Sequence, residues 1–539
     1  MSGITVFQAA KVVTLDRNRP EATHVAVRDG RILAVGGPDC AVPWGGGTPD
    51  DRLKDAVVYP GFVEGHAHMM AGPVWSKTYI GYHDRIDPDG GFWPGVTSVD
   101  LAIARLREAA ARLPEGEPLS AWGFDPIFFD AKRLDRRDLD QVATDRMVVV
   151  QHSNGHVLTC NSYALAEVGY DQGTNIEGVV MDAEGPNGEL QEMAAMFPVQ
   201  RRAGLRDLRV GPDAAREYAK VAMRAGVTTA TDLFAAMQEA DADALAEVCG
   251  DPGHCLRIVP ALNAMQGSPT DVRDLALALR ARSTDMLRLG AVKLMTDGSI
   301  QGYSARIKWP GYVTGAPNGI WNMAPDLIFE TVDVLHAAGV QMHVHTNGDE
   351  ASEVVIDAIE AAVARHGLGD HRHVLQHGQM IGESQFRRMA ALGIAANLFA
   401  NHLWYFGDQH AAKTIGEDRA MRMDACRAAL DAGVLMSIHS DAPVTPLGPL
   451  TVAWCAATRL TASGRVLGPA QRIAAEEAIR AVTLGAAATL HLDDEVGSLE
   501  TGKKADFAIL AEDPLAVPVE AMRDVEVLGT VSGGRMFLA

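Results

Sequence analysis

Val57-Val58-Tyr59-Pro60-Gly61-Phe62-Val63-Glu64-Gly65-His66-Ala67-His68 is an apolar run that ends in two histidines one residue apart. Side chains of an extended strand alternate between faces, so a His-x-His pair puts both imidazoles on one side and forms a clamp for a metal ion. An apolar run ending in a polar group recurs at Lys293, His345, His377 and Asp441, in Val292-Lys293-Leu294-Met295, Met342-His343-Val344-His345, Val374-Leu375-Gln376-His377 and Ile438-His439-Ser440-Asp441. Any one of these alone reads as ordinary burial. The series points to a shared site.

The spacing predicts how the series is built. A (β/α)8 barrel needs roughly 30 residues per strand-helix unit. Strands are expected over 57–63, 227–232, 257–262, 290–295, 340–345, 372–377, 393–398 and 434–439, eight in all. Amphipathic, alanine-rich stretches at 270–282, 326–338, 350–365, 383–391 and 418–432 fall between them as helices. Helices alternating with short apolar strands predict a parallel sheet and an α/β fold, here a (β/α)8 TIM-type barrel. The interval from strand one to strand two is far too long for a single unit, so an insertion of the order of 100 residues is expected over about 75–205, above the active-site face.

Both ends of the chain are β-rich. Residues 3–58 break into short strand-like runs such as Ile4-Thr5-Val6-Phe7 and Val25-Ala26-Val27-Arg28, and Asp29-Gly30 reads as a tight hairpin turn before Arg31-Ile32-Leu33-Ala34-Val35. The last fifty residues do the same around 505–510, 525–531 and 533–537. The expected organisation is one small β-sandwich built from residues 1–58 and 485–539, with a barrel over 59–484 as a long excursion from it.

The chain resembles the amidohydrolase superfamily, and within it the YtcJ-like branch that includes N-substituted formamide deformylases. The resemblance rests on Pro60-Gly61-Phe62-Val63-Glu64-Gly65-His66-Ala67-His68, Gly155-His156 with Asn161-Ser162, Gly226-Val227-Thr228-Thr229, Val292-Lys293-Leu294-Met295-Thr296-Asp297-Gly298-Ser299, Val344-His345-Thr346-Asn347-Gly348-Asp349, Gln376-His377, Ser440-Asp441-Ala442-Pro443-Val444 and the stretch from Gly497 to Asp506. These motifs run through nearly the whole chain in the family's order. The resemblance implies that Lys293, at the end of the fourth strand, is carboxylated by CO2 and bridges two metals, and that the protein is a homodimer.

The chemistry asks for the same residue types. Cleaving an unactivated amide at neutral pH needs a strong nucleophile, and a divalent metal supplies one by lowering the pKa of its bound water to about 7. His66, His68, His345 and His377 offer neutral imidazoles, with Lys293 and Asp441 completing the metal set; such ligands suit one or two zinc ions, with iron or manganese as alternatives. Lys293 as a plain ammonium would instead pair with Asp297, and Glu192 could take the bridging place. Asp441 has the position of a general base; as an aspartate ahead of Pro443 it also reads as a helix cap. His156, in the insertion, is a candidate for polarising the substrate carbonyl. His152, His343, His402 and His439 read as structural histidines.

Aromatic residues cluster at 122–129 and at Phe399 with Trp404-Tyr405-Phe406. Such clusters fill cores more often than they meet ligands; if they line the site, the substrate carries an apolar or aromatic group. At 539 residues and 47% hydrophobic content the chain can bury a large core, and a net charge of −21 argues against nucleic acid or an anionic membrane as partner. No stretch is long and apolar enough to span a bilayer and no basic, apolar leader opens the chain, so a cytoplasmic location is expected. The six cysteines form no Cys-x-x-Cys pair and are expected as reduced, mostly buried thiols. The expected function is metal-dependent hydrolysis of a C–N bond, most simply the amide of a small substrate, by metal-bound hydroxide with Asp441 moving the proton. Deamination, opening of a cyclic amide or lactone, and metal binding without turnover are the alternatives.

Overall fold

A computed structural model describes residues 3–129, 132–205 and 211–539. Its centre is an eight-stranded sheet in which every neighbouring pair is parallel and the strands follow chain order: Phe62–Glu64, Val227–Ala235, Arg257–Asn263, Ala291–Met295, Met342–Thr346, Val374–His377, Ala395–Leu398 and Met436–Ile438. We refer to these as barrel strands one to eight. Most are buried along their whole length, as expected when helices cover one face of a parallel sheet and the barrel interior covers the other.

The sheet curls until its two ends meet. Just past the strand ends, the amide of Asp441 donates to the carbonyl of His66 (3.0 Å) and that of His68 to Ala442 (2.9 Å). The buried Glu64 carboxylate adds a bond from Ser440 Oγ (2.7 Å) and accepts the amides of His66 (3.1 Å) and Ser440 (3.2 Å). These contacts give the TIM-type barrel its closure at the end where the strands' C-termini lie.

The expected helices over 270–282, 326–338, 350–365 and 383–391 are found as Pro269–Arg280, Pro325–Ala337, Asp349–His366 and Glu383–Ala391. The helix expected over 418–432 is two short pieces, Glu417–Ala420 and Cys426–Asp431. Between them Asp424 takes a left-handed conformation (φ 47°), and the buried guanidinium of Arg459 donates to the carbonyls of Met423 (2.9 Å) and Asp424 (3.0 Å). A continuous helix would have used those carbonyls internally.

Both chain ends join one seven-stranded hydrogen-bonded sheet, in the order Arg535–Leu538, Val527–Ser532, Phe507–Leu510, Thr48–Pro60, Thr5–Val13, Glu21–Arg28, Arg31–Gly36. The Asp29-Gly30 turn links the last two strands, with φ of 53° and 75°, the paired positive values that a tight hairpin requires. The run 57–63, expected as one barrel strand, is divided between two sheets. Val57 to Pro60 pair with 507–510 of the terminal sheet, and only from Phe62 does the chain run in the barrel.

Gly61 makes this transfer possible. Its amide donates to the Asp506 carbonyl (2.9 Å), and a Cβ at this position would lie 2.1 Å from Thr228 Oγ1 on barrel strand two.

Between barrel strands one and two the chain forms a separate six-stranded sheet, ordered Val179–Asp182, Gly185–Gln191, Val157–Cys160, Val148–His152, Leu119–Phe124, Thr78–Tyr79. Helix Val99–Ala110 lies in the apolar core on one side of it and helix Glu192–Arg202 in the core on the other. This segment falls in the stretch 75–205 expected as an insertion, of which residues 130 and 131 lie outside the described residues.

Replacing Gly61 by Ala should destabilise the chain by about 1–3 kcal/mol through overpacking against Thr228. The added change Thr228→Ala should recover part of the loss. Denaturant unfolding of the single and double variants checks this; an unperturbed Gly61→Ala protein would contradict the close approach.

Candidate metal centre

The C-terminal rim of the barrel gathers six side chains at one cavity. His66 and His68 follow strand one, Lys293 lies on strand four, His345 on strand five, His377 ends strand six, and Asp441 follows strand eight; all six line the cavity. Asp441 Oδ1 stands 3.3 Å from His66 Nε2 and 3.2 Å from His68 Nε2, and Asp441 Oδ2 is 3.7 Å from His377 Nδ1. The His377 ring lies 4.5 Å from His66 and 4.6 Å from His345, centroid to centroid.

Polar atoms this deeply buried normally find hydrogen-bond partners. Here Lys293 Nζ and His377 Nδ1 have none. Burial first, then nearby charge (Lys293 for His66, His156 and Lys293 for His345, His66 and His345 for His377), holds all three well below the usual imidazole range. They are therefore neutral at pH 7 and keep lone pairs for coordination. Burial also pulls Lys293 down to about 7, against the opposing attraction of Asp441. For Asp441 burial acts upward, but His68, His439 and Lys293 outweigh it and hold the carboxylate below its ordinary range. A cluster of neutral nitrogens and one carboxylate with unused bonding capacity fits a divalent cation.

The rings are aimed by residues to which the sequence reading gave no role. Gln376 Oε1 accepts from His66 Nδ1 (2.8 Å) and from Asn397 Nδ2 (2.9 Å), while Gln376 Nε2 donates to His343 Nδ1 (2.8 Å). With Nδ1 carrying the proton, His66 presents a bare Nε2 to the site. Strand alternation would send adjacent Gln376 and His377 to opposite faces. His377 instead adopts φ 67°, and both side chains reach His66. That backbone departure has no signature in the sequence. His345 is fixed through Nε2, which lies 3.2 Å from the Gly298 carbonyl, leaving Nδ1 for the cavity.

Lys293 does not pair with Asp297. The Asp297 carboxylate accepts three backbone amides, from Arg306 (3.0 Å), Asn347 (3.1 Å) and Gly348 (2.9 Å). The insertion supplies the cavity's other charged groups. His156 Nδ1 lies 2.9 Å from Glu192 Oε2, which also accepts from Asn322 Nδ2 (2.8 Å). Burial would lower His156, but Glu192 prevails and raises it above the ordinary imidazole value. Glu192 is held at φ 59° and reaches Gly298 so closely that a Cβ there would sit 2.1 Å from its Oε1. Glu192 Oε2 is thus committed to His156 and Asn322, while its buried Oε1 has no hydrogen-bond partner.

Among the histidines read as structural, His343 has Gln376, His152 has Thr159 Oγ1 (2.9 Å) and His402 has Asp424 (3.4 Å). His439 differs: both its ring nitrogens are buried without a partner.

The cavity has a volume of about 110 Å³. Of the aromatic clusters only Trp122 lines it. Phe124 stacks on Phe129 (4.7 Å) and Phe128 on Tyr82 (4.8 Å), while Phe399, Trp404, Tyr405 and Phe406 pack outside the cavity lining. Its apolar wall comes from Met70, Met193, Met196, Phe197, Phe234 and Met295, methionines and phenylalanines scattered too widely in sequence to stand out.

Residues 53–537 match the model of the amidohydrolase family. The chain belongs to that family. Its relatives include the protein LONG AFTER FAR-RED 3 of Arabidopsis thaliana (27% identical, covering 97% of this chain and 90% of the relative). The amidohydrolase YtcJ of Bacillus subtilis, described as putative, is 25% identical (96% and 96%), and an N-substituted formamide deformylase of Arthrobacter pascens is 26% identical (97% and 96%). Among solved structures, an uncharacterized metal-dependent hydrolase from Pyrococcus horikoshii superposes with a TM-score of 0.71 at 19% identity, over 96% of this chain and 99% of that one. This chain is therefore a hydrolase of the amidohydrolase family.

Replacing Gln376 by Met should free the His66 ring and weaken metal binding by about 10- to 100-fold while the fold persists. Competition titration against a zinc chelator measures it; unchanged affinity would remove Gln376 from the site.

Proposed function

We propose that this amidohydrolase cleaves the amide C–N bond of a small substrate bearing an apolar group. The reading rests on one observation: neutral imidazole nitrogens, an unpartnered lysine amine and Asp441 converge in a cavity whose apolar lining is mainly methionine and phenylalanine, beside polar residues such as Gln151, Asn154 and Gln200. His66, His68, Lys293, His345, His377 and Asp441 are the residues that would hold the metal, with zinc best suited to the nitrogen donors and iron or manganese favoured if oxygen donors dominate. A divalent ion bound there lowers the pKa of its water to about 7 and so supplies the nucleophile.

The remaining work falls to the chain. Asp441, ionised and within 3.2–3.3 Å of two ring nitrogens, takes the proton from the attacking water and passes it to the departing nitrogen. His156, its Nδ1 held by Glu192, turns Nε2 toward the cavity and donates to the substrate carbonyl oxygen as negative charge develops there. With Lys293 pulled down to about 7, a large fraction of it is the neutral amine at physiological pH. That is the form able to add CO2, releasing a proton and giving a carbamate anion as an oxygen ligand. The formamide-cleaving relative supports an amide as the bond broken, and the apolar walls support a hydrophobic substituent on it.

The test pairs metal analysis with turnover of a panel of N-substituted amides. Asp441→Asn should keep most of its metal while kcat falls by about two orders of magnitude or more. His66→Ala should lose metal and activity together. Undiminished turnover in Asp441→Asn, or full metal retention in His66→Ala, would contradict the assignment.

A further inference from the structure

His439 lies one residue beyond barrel strand eight, on the same turn of chain as Asp441. It is fully buried, and neither ring nitrogen has a hydrogen-bond partner. A neutral imidazole always carries one N–H donor and one lone pair, so both remain unmet in a region where buried polar groups are ordinarily satisfied. Two rings pack against it: His66, nearly parallel to it (4.6 Å, 17°), and Phe399, tilted (4.7 Å, 33°). His377 meets it edge-on at 5.0 Å.

Nitrogens of His66, His377 and His439 lie within 4.8 Å of one another, and a second triplet on the same scale joins His66, His68 and Asp441. The two triplets share His66. They differ in place: the second includes the half-buried His68, whereas all three rings of the first are buried. They differ also in chemistry, since the buried triplet offers three imidazoles and no carboxylate.

We infer that His439 is a metal ligand, completing with His66 and His377 a deep all-imidazole set for a zinc-like divalent cation. This inference rests on the reading of the rim as a metal centre and adds to it a ligand that the strand-end pattern does not supply. Three neutral nitrogens favour zinc or another imidazole-preferring ion over magnesium or calcium, which take oxygen donors. Because all three residues are buried, an ion among them would be shielded from solvent and would exchange slowly.

The direct test is anomalous diffraction at the zinc edge from crystals of the full wild-type chain soaked in zinc. An anomalous peak within coordination distance of a His439 nitrogen is the expected result. A peak bounded by His66, His68 and Asp441, with His439 uncoordinated, would overturn this inference and leave the metal-centre reading standing. No peak among these residues would overturn both. In solution, His439→Gln and His439→Phe should each bind zinc at least tenfold more weakly than wild type and show altered ligand-field bands when loaded with cobalt. Folded variants with wild-type affinity and spectrum would likewise overturn it; the diffraction result decides the matter if neither variant folds.

Discussion

Closure of the barrel between its first and last strands is the constraint on which the site depends. Strand one has only three residues, so few sheet hydrogen bonds hold it. Its junction with strand eight is made instead by the backbone bonds from Asp441 to His66 and from His68 to Ala442, and by Glu64 gripping Ser440. The bonds that shut the barrel are therefore made by residues of the candidate metal centre. His66, His68 and Asp441 are brought into register by the same hydrogen bonds that complete the fold, and a rim that opened would scatter them.

This arrangement carries an electrostatic cost. Burial pushes Glu64 up to about 8, pulls Lys293 down to about 7, and strips charge from three imidazoles. In a core built for stability alone, such groups would be paired or replaced by apolar residues. Here the surrounding shell orients the rings, Gln376 aiming His66 and Gly298 fixing His345, and leaves Lys293 Nζ and His377 Nδ1 without partners. A cation would supply the missing compensation, so affinity for metal and stability of the rim are coupled.

Much of this was legible in the sequence, for a physical reason. Parallel strands buried on both faces read as apolar runs, and a polar residue at the end of such a run must either be satisfied or have a task. This is why Lys293, His345, His377 and the His66/His68 pair stood out. What escaped the sequence depends on backbone conformation or on distant approach. The division of the run 57–63 between two sheets hinges on the close passage of Gly61 by Thr228, and the inward turn of both Gln376 and His377 hinges on one positive φ. The break in the helix expected over 418–432 is caused by Arg459, a residue remote in sequence. The aromatic clusters fill cores, as expected, and only Trp122 lines the cavity; periodicity alone could not have singled it out.

The account's central claim is that the rim's buried donors are left uncompensated for a metal ion. Thermal unfolding of chelator-treated protein, titrated with zinc, tests this most directly. The account predicts a Tm that rises with zinc concentration, as binding to the native state requires, and a much smaller rise in the His66→Ala variant. A Tm indifferent to zinc, or a rise that survives loss of His66 undiminished, would contradict it.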